Sequence, residues 1–500
     1  MQASEKLEAG HEAVHPTLDG PELTTEHHEY LVERHGSVAL DPLPSMDPAD
    51  PYNWPQRKKI TNLILVSFHA MMAMFTAASI NSSFIHIAED LDISVQTATY
   101  LASLSIAILG GAPLIWKPLA NTYGRRPIFL GSLLCSMAGN IGCAVSPSYA
   151  TMCVCRAIAS FFISPAAAIG SGIVAEMFFK KELATFMGVW TIMVTLGVPL
   201  AAFIFGFVSM RVDYRWIYWI LTITNGLQFI CHFFLGAETL YRRDFSDRPH
   251  RTPLLKRYFD FGRINPQPIK WWDFVQPLGH VMRPVVWIPA MAYAMIFMWA
   301  AILPSIEIPQ LYHELYGFNA QQIGLQYLSF IIGSVIGEQI GGRASDWWML
   351  RREKKTGAAP DPEYRLWLSY VGQVPAIVGL IVFCVQSETS GNKWNITPLV
   401  GTTIAAVGNQ IVTTIYITYA IDCYREEAPG IGVFISFVRQ IWGFVGPFWR
   451  GDGYDGCFCH LADSAAAVER KQMAWNTKSW LEEWGLLRGG SNSPTGAAEH

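Results

Sequence analysis

The sequence predicts an all-α, polytopic membrane protein made of two helical bundles. Of its 500 residues, 51% are hydrophobic and only 15% are charged, whereas a soluble domain carries about 25% charged residues. A membrane helix needs about 20 mostly apolar residues, because only a helix satisfies its own backbone groups inside lipid. Eleven stretches of the chain meet or approach that length. Composition and segment length therefore indicate the same class.

The eleven predicted spans divide into six and five. In the first half they run roughly over residues 60–83, 97–117, 127–146, 150–177, 185–208 and 215–236. In the second half they run roughly over residues 285–305, 323–342, 366–386, 397–421 and 429–449. Two six-helix bundles require a twelfth span, but the chain stays polar after residue 449. We expect either an error in the gene model or a real truncation there.

Lysine and arginine predict the orientation, because cytoplasmic loops retain them. Basic pairs or clusters precede span 1 and follow spans 2, 4 and 8, whereas the loops 86–96 and 306–322 have none. The N-terminus and the central linker are therefore predicted to be cytoplasmic. The predicted organisation is a disordered cytoplasmic tail (1–50), an N-terminal bundle (51–238), a cytoplasmic linker (239–283), an incomplete C-terminal bundle (284–449) and an atypical polar tail (450–500).

An internal repeat supports two related halves, since transporters often duplicate a bundle of helices. Sliding the chain against itself by about 225 residues pairs the turn Lys117–Arg126 with the turn Gly342–Arg351. Each turn joins an outside-to-inside helix to its successor. The repeat therefore predicts the same topology in both halves.

The string PLANTYGRRP at Pro118–Pro127 resembles the loop signature of the major facilitator superfamily. Gly124, Arg125 and Arg126 match that signature, while Lys117 stands in place of its first glycine and Asn121 in place of its acidic residue. In the second half, Gly342 and Asp346 fit the same pattern. The two substitutions in the first half weaken the charge latch that the family uses between helix ends.

Other strings carry the resemblance further. Arg156 looks like the intramembrane arginine of the family, and the stretch around Gly197 and Pro199 resembles the span-five antiporter motif without its second closing glycine. DPADPYNWPQRKK before span 1, YGFNAQQIGLQY from Tyr316 and NQIVTTIYITYAIDCY from Asn409 are similar to fungal members of the twelve-helix drug:proton antiporter group. The likeness covers about residues 48–449.

The resemblance implies a secondary active transporter that exports drugs or secondary metabolites in exchange for protons. Proton-linked uptake of a nutrient or amine is the alternative, because fold does not fix direction. A non-transporting membrane sensor is a further alternative, although the linker is small for a signalling module. The expected partners are the lipid bilayer, a small-molecule substrate and protons, and the expected location is the plasma membrane, as a monomer.

Other classes find little support in the sequence. The net charge of −4 argues against nucleic acid as a partner. No phosphate-binding Gly-x-x-x-x-Gly-Lys-Ser/Thr loop occurs, and the one His-Glu-x-x-His match, His11–His15, lies in the polar N-terminal tail. We therefore predict no enzyme activity, no cofactor and no metal site.

Charges inside the bilayer are the first candidates for function, since each costs about 2.5 kcal/mol or more. We predict that Glu338 or Asp422 exchanges protons, and that Arg156 and Arg439 act as counter-charges or substrate contacts. Fixed ion pairs among these four residues are the alternative reading.

Polar side chains in spans 10 and 11 are the second group of candidates. Asn409, Gln410, Thr413 and Tyr416 could line a central cavity with Gln440 and Trp442, or they could hydrogen-bond between helices. Gly197 and Pro199 are expected to permit close packing and a kink. Asn395 begins an Asn-Ile-Thr glycosylation triplet on the outer side.

Overall fold

The computed structural model describes residues 25–36, 40, 42–241, 263–265, 268–356, 362–389, 393–424 and 427–445, and over these ranges it contains helices and turns but no strand. Ten described helices are long and apolar enough to cross a membrane, and a shorter apolar helix, Gly430–Val445, follows them. The predicted all-helical, polytopic fold class is therefore confirmed. The polar tail 450–500, where the twelfth span is predicted to be missing, lies outside the described residues.

The spans fall where hydropathy predicted them, but spans 7 and 8 continue 11 and 14 residues beyond their predicted ends (316 against 305, and 356 against 342). Spans 1 to 6 are Gln56–Asp90, Val95–Tyr123, Arg125–Ala144, Tyr149–Met177, Lys180–Arg211 and Arg215–Leu235. Spans 7 to 11 are Pro284–Tyr316, Ala320–Thr356, Glu363–Thr389, Thr397–Cys423 and Ala428–Val445. We call the end of the bundle that carries Arg125, Arg126 and Arg351 the basic end.

Five spans are composite helices. Span 1 consists of Gln56–Ala78, the 3₁₀ turn Asn81–Ser83 and Phe84–Asp90, and span 4 of Tyr149–Ile163 and Pro165–Met177. Span 7 consists of Pro284–Phe297 and Leu303–Tyr316, and span 8 of Ala320–Gln326, Leu328–Glu338 and Ser345–Thr356. Span 9 consists of the 3₁₀ helix Pro362–Leu368 and the α-helix Ser369–Thr389. The helices outside the spans are Thr25–His35, Pro51–Asn53, Trp271–Val275 and Gln276–Met282.

The segment before span 1 departs from the predicted disorder over residues 1–50. Thr25–His35 is helical, with Leu31 fully buried, and Arg34 donates to the carbonyl of Asn53 at 2.7 Å. Tyr52 donates to the carbonyl of Ala175 in span 4, also at 2.7 Å. Composition did not predict that this segment is ordered, because polar contacts to backbone carbonyls, and not a large apolar core, hold it in place. Residues 1–24 lie outside the described part.

Two spans contain a π-helical turn, at Met298–Ile302 in span 7 and at Gln339–Ala344 in span 8. A π turn adds one residue to a helical turn and is frequent at functional sites. After the first of them, span 7 continues to Tyr316, so the predicted outer loop from residue 306 is partly helix. Pro304 does not break this helix because it lies in the first turn, where its missing N–H costs little.

Spans 9 and 10 pack through small residues. A Cβ atom added to Gly401 would lie 2.6 Å from the backbone nitrogen of Phe383, and one added to Gly408 would overlap the backbone nitrogen of Ala376. Lipid tails are as apolar as leucine, so contacts between membrane helices depend on such close van der Waals packing. These two glycines therefore set the distance between the helices.

Glycines lie at two of the helix crossings between the halves. Span 5 crosses span 8, where a Cβ on Gly206 would lie 2.5 Å from the Ala320 carbonyl oxygen and 3.0 Å from Gly324 Cα. Span 2 crosses span 11, where a Cβ on Gly110 would lie 2.8 Å from Gln440 Cβ. Glycine thus permits close contact at both crossings.

Replacing Gly408 with leucine should destabilise the C-terminal bundle. The new side chain has no space against Ala376, and overpacking of this kind costs about 1–3 kcal/mol. We expect the thermal unfolding midpoint of the purified protein to fall by several degrees. Gly131→Leu is the matched control, because a Cβ on Gly131 meets nothing within 4 Å. Equal midpoints for the two variants would contradict this packing argument.

Candidate functional site

Glu338 is buried where span 8 contacts span 10. Its side chain is 8% exposed, and its Oε2 accepts hydrogen bonds from Gln410 Nε2 at 2.6 Å and Thr414 Oγ1 at 3.1 Å. Gly337 allows this approach, since a Cβ there would lie 2.8 Å from Gln410 Cβ. Over the described ranges no lysine or arginine forms an ion pair with Glu338. The carboxyl group is thus held by neutral donors only, immediately before the π turn of span 8.

Glu307 is a second carboxyl group that is buried within a span, and the sequence analysis missed it. It is 9% exposed, in the part of span 7 that follows the π turn, with Gln310 at 6% exposure one turn further on. Hydropathy ended this span at residue 305 and placed Glu307 in a loop. The apolar residues that surround Glu307 in the string LPSIEIPQLY were the available signal.

Arg156 binds backbone carbonyls, and no ion pair to an acidic side chain is found for it among the described residues. Its Nη2 donates to the carbonyl oxygen of Ala77 at 2.7 Å and of Thr76 at 3.3 Å, and its Nε donates to that of Leu101 at 3.1 Å. The side chain is 1% exposed. The first helix of span 1 ends at Ala78, where terminal carbonyls lack helical partners. Arg156 therefore supplies hydrogen bonds to the carbonyl groups at the end of this helix. This role is structural, and it differs from the fixed ion pair that was the alternative reading.

Arg439 lies half-buried in span 11 against the aromatic side chains of span 7. Its Nη1 donates to Tyr293 Oη at 3.1 Å, and its guanidinium lies 4.7 Å from the ring centroid of Phe297. Arginine over an aromatic face gains a favourable electrostatic contact. The Nε atom is buried and has no hydrogen-bond partner among the residues described. The Nε–H group of Arg439 is thus a hydrogen-bond donor without a partner among the described residues, whereas the rest of the side chain is held by Tyr293 and Phe297.

Asp422 lies at the basic end of span 10 in an ion pair. Its Oδ2 lies 3.6 Å from Arg365 Nη2, and Arg365 also donates to Ser345 Oγ at 2.9 Å. These contacts join the ends of spans 8, 9 and 10. Asp422 is thus in an ion pair, but its partner Arg365 is not one of the four intramembrane candidates.

The polar side chains of span 10 face different neighbours. Tyr416 is 2% exposed and accepts a hydrogen bond from Gln373 of span 9 at 2.5 Å, and Gln410 is bonded to Glu338. Thr413 donates to the carbonyl of Asn409, whose Oδ1 is buried with no partner in the described part of the chain. Helix–helix bonding thus accounts for Gln410 and Tyr416, and the cavity role of Asn409 and Thr413 stays a prediction.

The two span 11 candidates are also placed by packing. Gln440 is 2% exposed, at the crossing with span 2, and its Nε2 lies 3.9 Å from Met74 Sδ. It is therefore part of the contact between the halves and does not line an open cavity. Trp442 is half-buried against the aromatic cluster around Tyr312 and Phe330.

The loop signature between spans 2 and 3 is organised by a carboxylate that the sequence analysis did not single out. Glu238 accepts hydrogen bonds from the backbone N–H groups of Arg125 and Arg126, each at 3.0 Å. Gly124 has φ +96°, and a Cβ there would lie 2.6 Å from Glu238 Oε2. Glycine is needed for both reasons. Glu238 thus caps the N-terminus of span 3, where a negative charge is stabilising.

The arginine side chains of this loop bind within the N-terminal half. Arg125 pairs with Glu176 of span 4 at 2.6 Å, and Arg126 donates to the carbonyl of Phe233 at 2.8 Å. Asn121, which stands at the acidic position of the signature, is exposed. In the second half, Gly342 lies near Glu338 within the π turn, and Asp346 is in the helix that follows.

Lys117 reaches the other half. A Cβ on Gly430, at the start of span 11, would lie 3.2 Å from Lys117 Nζ and 3.0 Å from His280 Nε2. Glu427 lies beside them, 3.7 Å from His280 Nε2, and accepts a 2.9 Å hydrogen bond from Arg283 that lowers the pKa of its carboxyl group. Burial lowers the pKa of His280. Residues from both halves therefore form one charged cluster at the basic end.

The remaining candidates are structural or exposed. A Cβ on Gly197 would lie 2.6 Å from the Met71 carbonyl oxygen, so this glycine packs span 5 against span 1, and Pro199 follows within the same helix. Asn395 is exposed, and its Oδ1 accepts from Thr397 Oγ1 at 2.9 Å. Its glycosylation stays a prediction. Within the described ranges, no group of three or more His, Cys, Asp or Glu side chains could hold a metal ion.

Glu238→Gln should destabilise the N-terminal bundle. An amide cannot accept charge-assisted hydrogen bonds with both of its polar atoms, and a bond to a charged group contributes about 1.5–3 kcal/mol. We expect a lower midpoint in thermal unfolding of the purified protein. Glu89→Gln removes an exposed carboxylate and serves as the control. If both variants unfold at the same temperature, Glu238 does not stabilise the loop.

Known proteins are similar to this chain in sequence and in fold. The chain is 25% identical over 492 residues to the efflux pump radE of Floropilus chiversii, an alignment that covers 89% of each chain. It is 28% identical over 395 residues to the MFS transporter fsa7 of Fusarium sp., covering 76% of this chain and 75% of that one. A crystal structure of peptide transporter POT in complex with sulfate superimposes with a TM-score of 0.59 at 14% identity, covering 84% of this chain and 94% of that one.

The family model for the Major Facilitator Superfamily matches residues 65–447. This range contains all five features described above: the loop signature, the repeated turn, the intramembrane arginine and both buried carboxyl groups. Because the match covers most of the chain, the protein belongs to the Major Facilitator Superfamily.

Proposed function

We propose that this transporter exports a small amphipathic organic molecule in exchange for protons, by alternating access. The observation that carries the proposal is Glu338, a buried carboxyl group with neutral hydrogen-bond donors and no cation partner among the described residues. The direction is supported by relatives such as radE, which is named an efflux pump.

Glu338 has the chemistry of a proton carrier. In low-dielectric surroundings without a nearby cation, the neutral, protonated form of a carboxyl group has a lower free energy than the ionised form. Gln410 and Thr414 both donate to Oε2, which leaves Oε1 to carry the proton. Asp422 is less suited, because its charge is matched by Arg365.

Protonation at Glu338 would act on the contact between spans 8 and 10. The ionised form strengthens its hydrogen bonds to Gln410 and Thr414, since bonds to charged acceptors are stronger. The protonated form weakens them and frees the π turn that begins one residue later. A proton would in this way bias the position of span 8, which also crosses span 5 of the other half at Gly324.

The environment of Arg439 suggests the chemical class of the substrate. A half-buried guanidinium with one unpartnered donor, beside Tyr293 and Phe297, suits a molecule with an aromatic ring and an acceptor oxygen or carboxylate. We further propose that the chain acts as a monomer in the plasma membrane with its basic end in the cytoplasm. The distribution of lysine and arginine supports that orientation.

Glu338→Gln should uncouple transport from protons. Glutamine mimics the protonated carboxyl group and cannot ionise, so the step that depends on proton release is lost. Using substrates that the chain exports from a pump-deficient yeast strain, we expect pH-gradient-driven transport in proteoliposomes to fall by about tenfold or more, while substrate exchange without a gradient continues.

Asp422→Asn is the matched control for this experiment, since it removes an intramembrane carboxylate that is paired. We expect its gradient-driven rate to stay close to that of the unmodified protein. Gradient-driven transport that survives in Glu338→Gln would rule out Glu338 as the coupling residue. Transport that is indifferent to the gradient in the unmodified protein would rule out proton antiport.

Arg439→Gln should weaken substrate binding. Loss of one charge-assisted hydrogen bond of about 1.5–3 kcal/mol raises KM by about tenfold or more. Arg439→Lys retains the charge and should recover part of the affinity. The measurement is the substrate dependence of uptake into proteoliposomes. An unchanged KM in Arg439→Gln would show that the substrate does not contact this side chain.

A further inference from the structure

The end of span 8 continues beyond the hydrocarbon region of a membrane. The span runs over 37 residues, from Ala320 to Thr356, which corresponds to about 55 Å at about 1.5 Å per residue. The hydrocarbon core of a bilayer is only about 30 Å thick. The basic residues at positions 351, 352, 354 and 355 are too costly to place in that core. The last turns of the span therefore lie among the lipid headgroups, or just beyond them, at the basic end.

One face of this terminal helix, Ser345–Thr356, packs on the protein. The ring of Trp348 stacks on that of Tyr364 in span 9, with 5.5 Å between the centroids and 9° between the planes. The guanidinium of Arg352 lies 4.6 Å from the centroid of the same tyrosine ring. Trp348 and Arg352 are four positions apart and so share this face. Their contact with Tyr364 fixes the rotation of the helix, and with it the set of side chains that point away from the protein.

The side chains that point away combine apolar and basic groups. We call them the outward face and define it by Trp347, Leu350, Arg351 and Lys354, which are three or four positions apart. Trp347 is 56% exposed, Leu350 is 54% exposed, and both cationic side chains are exposed as well. The guanidinium of Arg351 lies 5.0 Å from the Trp347 ring centroid. Among the residues described, no acidic side chain forms an ion pair with Arg351 or Lys354.

The headgroup region of a membrane suits this face better than water does. Positive charge alone is sufficient to orient a span, and it does not account for a tryptophan and a leucine that are exposed side by side. Tryptophan is enriched at membrane interfaces because its ring has an apolar body and a polar N–H group. Trp367, on the neighbouring span 9, is also 48% exposed at this end. The aromatic residues therefore place the terminal helix at the interface.

The charge of the terminal helix favours an anionic headgroup. Residues 343–356 contain five basic and two acidic side chains, which gives a net charge of +3. Clusters of lysine and arginine directly after a membrane span are typical of sites for anionic lipids. Arg352 is held by Tyr364, and Glu353 is directed about 100° away from Lys354 around the helix axis. Arg351 and Lys354 are thus the cations that the outward face presents to a ligand.

We propose that the outward face binds anionic phospholipids of the leaflet at the basic end. Arg351 and Lys354 contact the phosphate and the other anionic groups of the lipid, while Trp347 and Leu350 contact the glycerol region and the upper part of the acyl chains. The site does not depend on the direction, the substrate or the coupling ion of transport. A bound lipid would anchor the end of the span that carries Glu338.

Native mass spectrometry of the full chain, with phosphatidylserine and phosphatidylcholine of equal acyl chains added to the detergent, tests the headgroup preference. We expect the unmodified protein to retain several-fold more phosphatidylserine, and Arg351→Gln with Lys354→Gln to reduce that retention by about tenfold or more. Arg57→Gln with Lys270→Gln removes the same charge from other exposed positions of the basic end and should leave the preference unchanged.

Three results of this experiment would overturn the proposal. The first is equal retention of the two lipids by the unmodified protein, and the second is the same loss in both double variants. The third is displacement of phosphatidylserine by an equal concentration of glycerophosphoserine, because a headgroup without acyl chains would then be sufficient and the site would be one for a soluble anion.

The position of Trp347 is tested in the unmodified protein, so that misfolding of a variant cannot decide the result. The full chain, labelled with 5-fluorotryptophan and placed in nanodiscs of both lipids, gives ¹⁹F signals that Trp347→Phe and Trp54→Phe assign. We expect a lipid with a spin-labelled headgroup to broaden the Trp347 signal more than a water-soluble gadolinium chelate does, and neither to broaden that of Trp54, which is 7% exposed. Equal or opposite broadening of Trp347 would place the outward face in water, as a soluble protein partner requires, and would overturn the lipid site.

Discussion

Close backbone contact at glycine is the constraint on which the arrangement of these helices depends. Membrane helices gain little from hiding apolar surface from lipid that is equally apolar. Their association depends on van der Waals contact, and this is closest where a Cβ atom is missing. Gly401 and Gly408 hold spans 9 and 10 together, while Gly110 and Gly206 bring the two halves into contact. The position of every polar side chain at these contacts follows from that spacing.

Buried charge is stabilised differently in the two halves. In the N-terminal half, Arg156 donates from Nε and Nη2 to three carbonyl groups, two of them at the end of a broken helix, so its side chain is held by the backbone. In the C-terminal half, Glu338 has only amide and hydroxyl donors from one neighbouring helix. Breaking the bonds of Arg156 would leave a buried charge and buried carbonyl groups without partners, which costs much free energy. The two hydrogen bonds of Glu338, in contrast, vary in strength with its protonation. This asymmetry agrees with a structural arginine and a carboxyl group that takes part in transport.

Hydropathy was sufficient to predict the fold class and nearly all the spans, because lipid imposes the same length and apolarity on each one. It was also sufficient to identify Glu338 as a charge within a span. It could not identify Gln410 and Thr414 as its partners, since that contact depends on the register between two helices. Glu307 was missed because the rule that ended span 7 counted it as a loop residue. Glu238 was missed because a cap on span 3 from the end of span 6 has no local sequence signature.

The π turn at Met298–Ile302 has a mechanical consequence for the helix that follows it. One extra residue rotates everything beyond the turn by about 100° relative to an uninterrupted α-helix. Glu307 faces the protein interior in this register. The π turn thus determines which side chains of the second part of span 7 face the interior, and Glu307 is one of them.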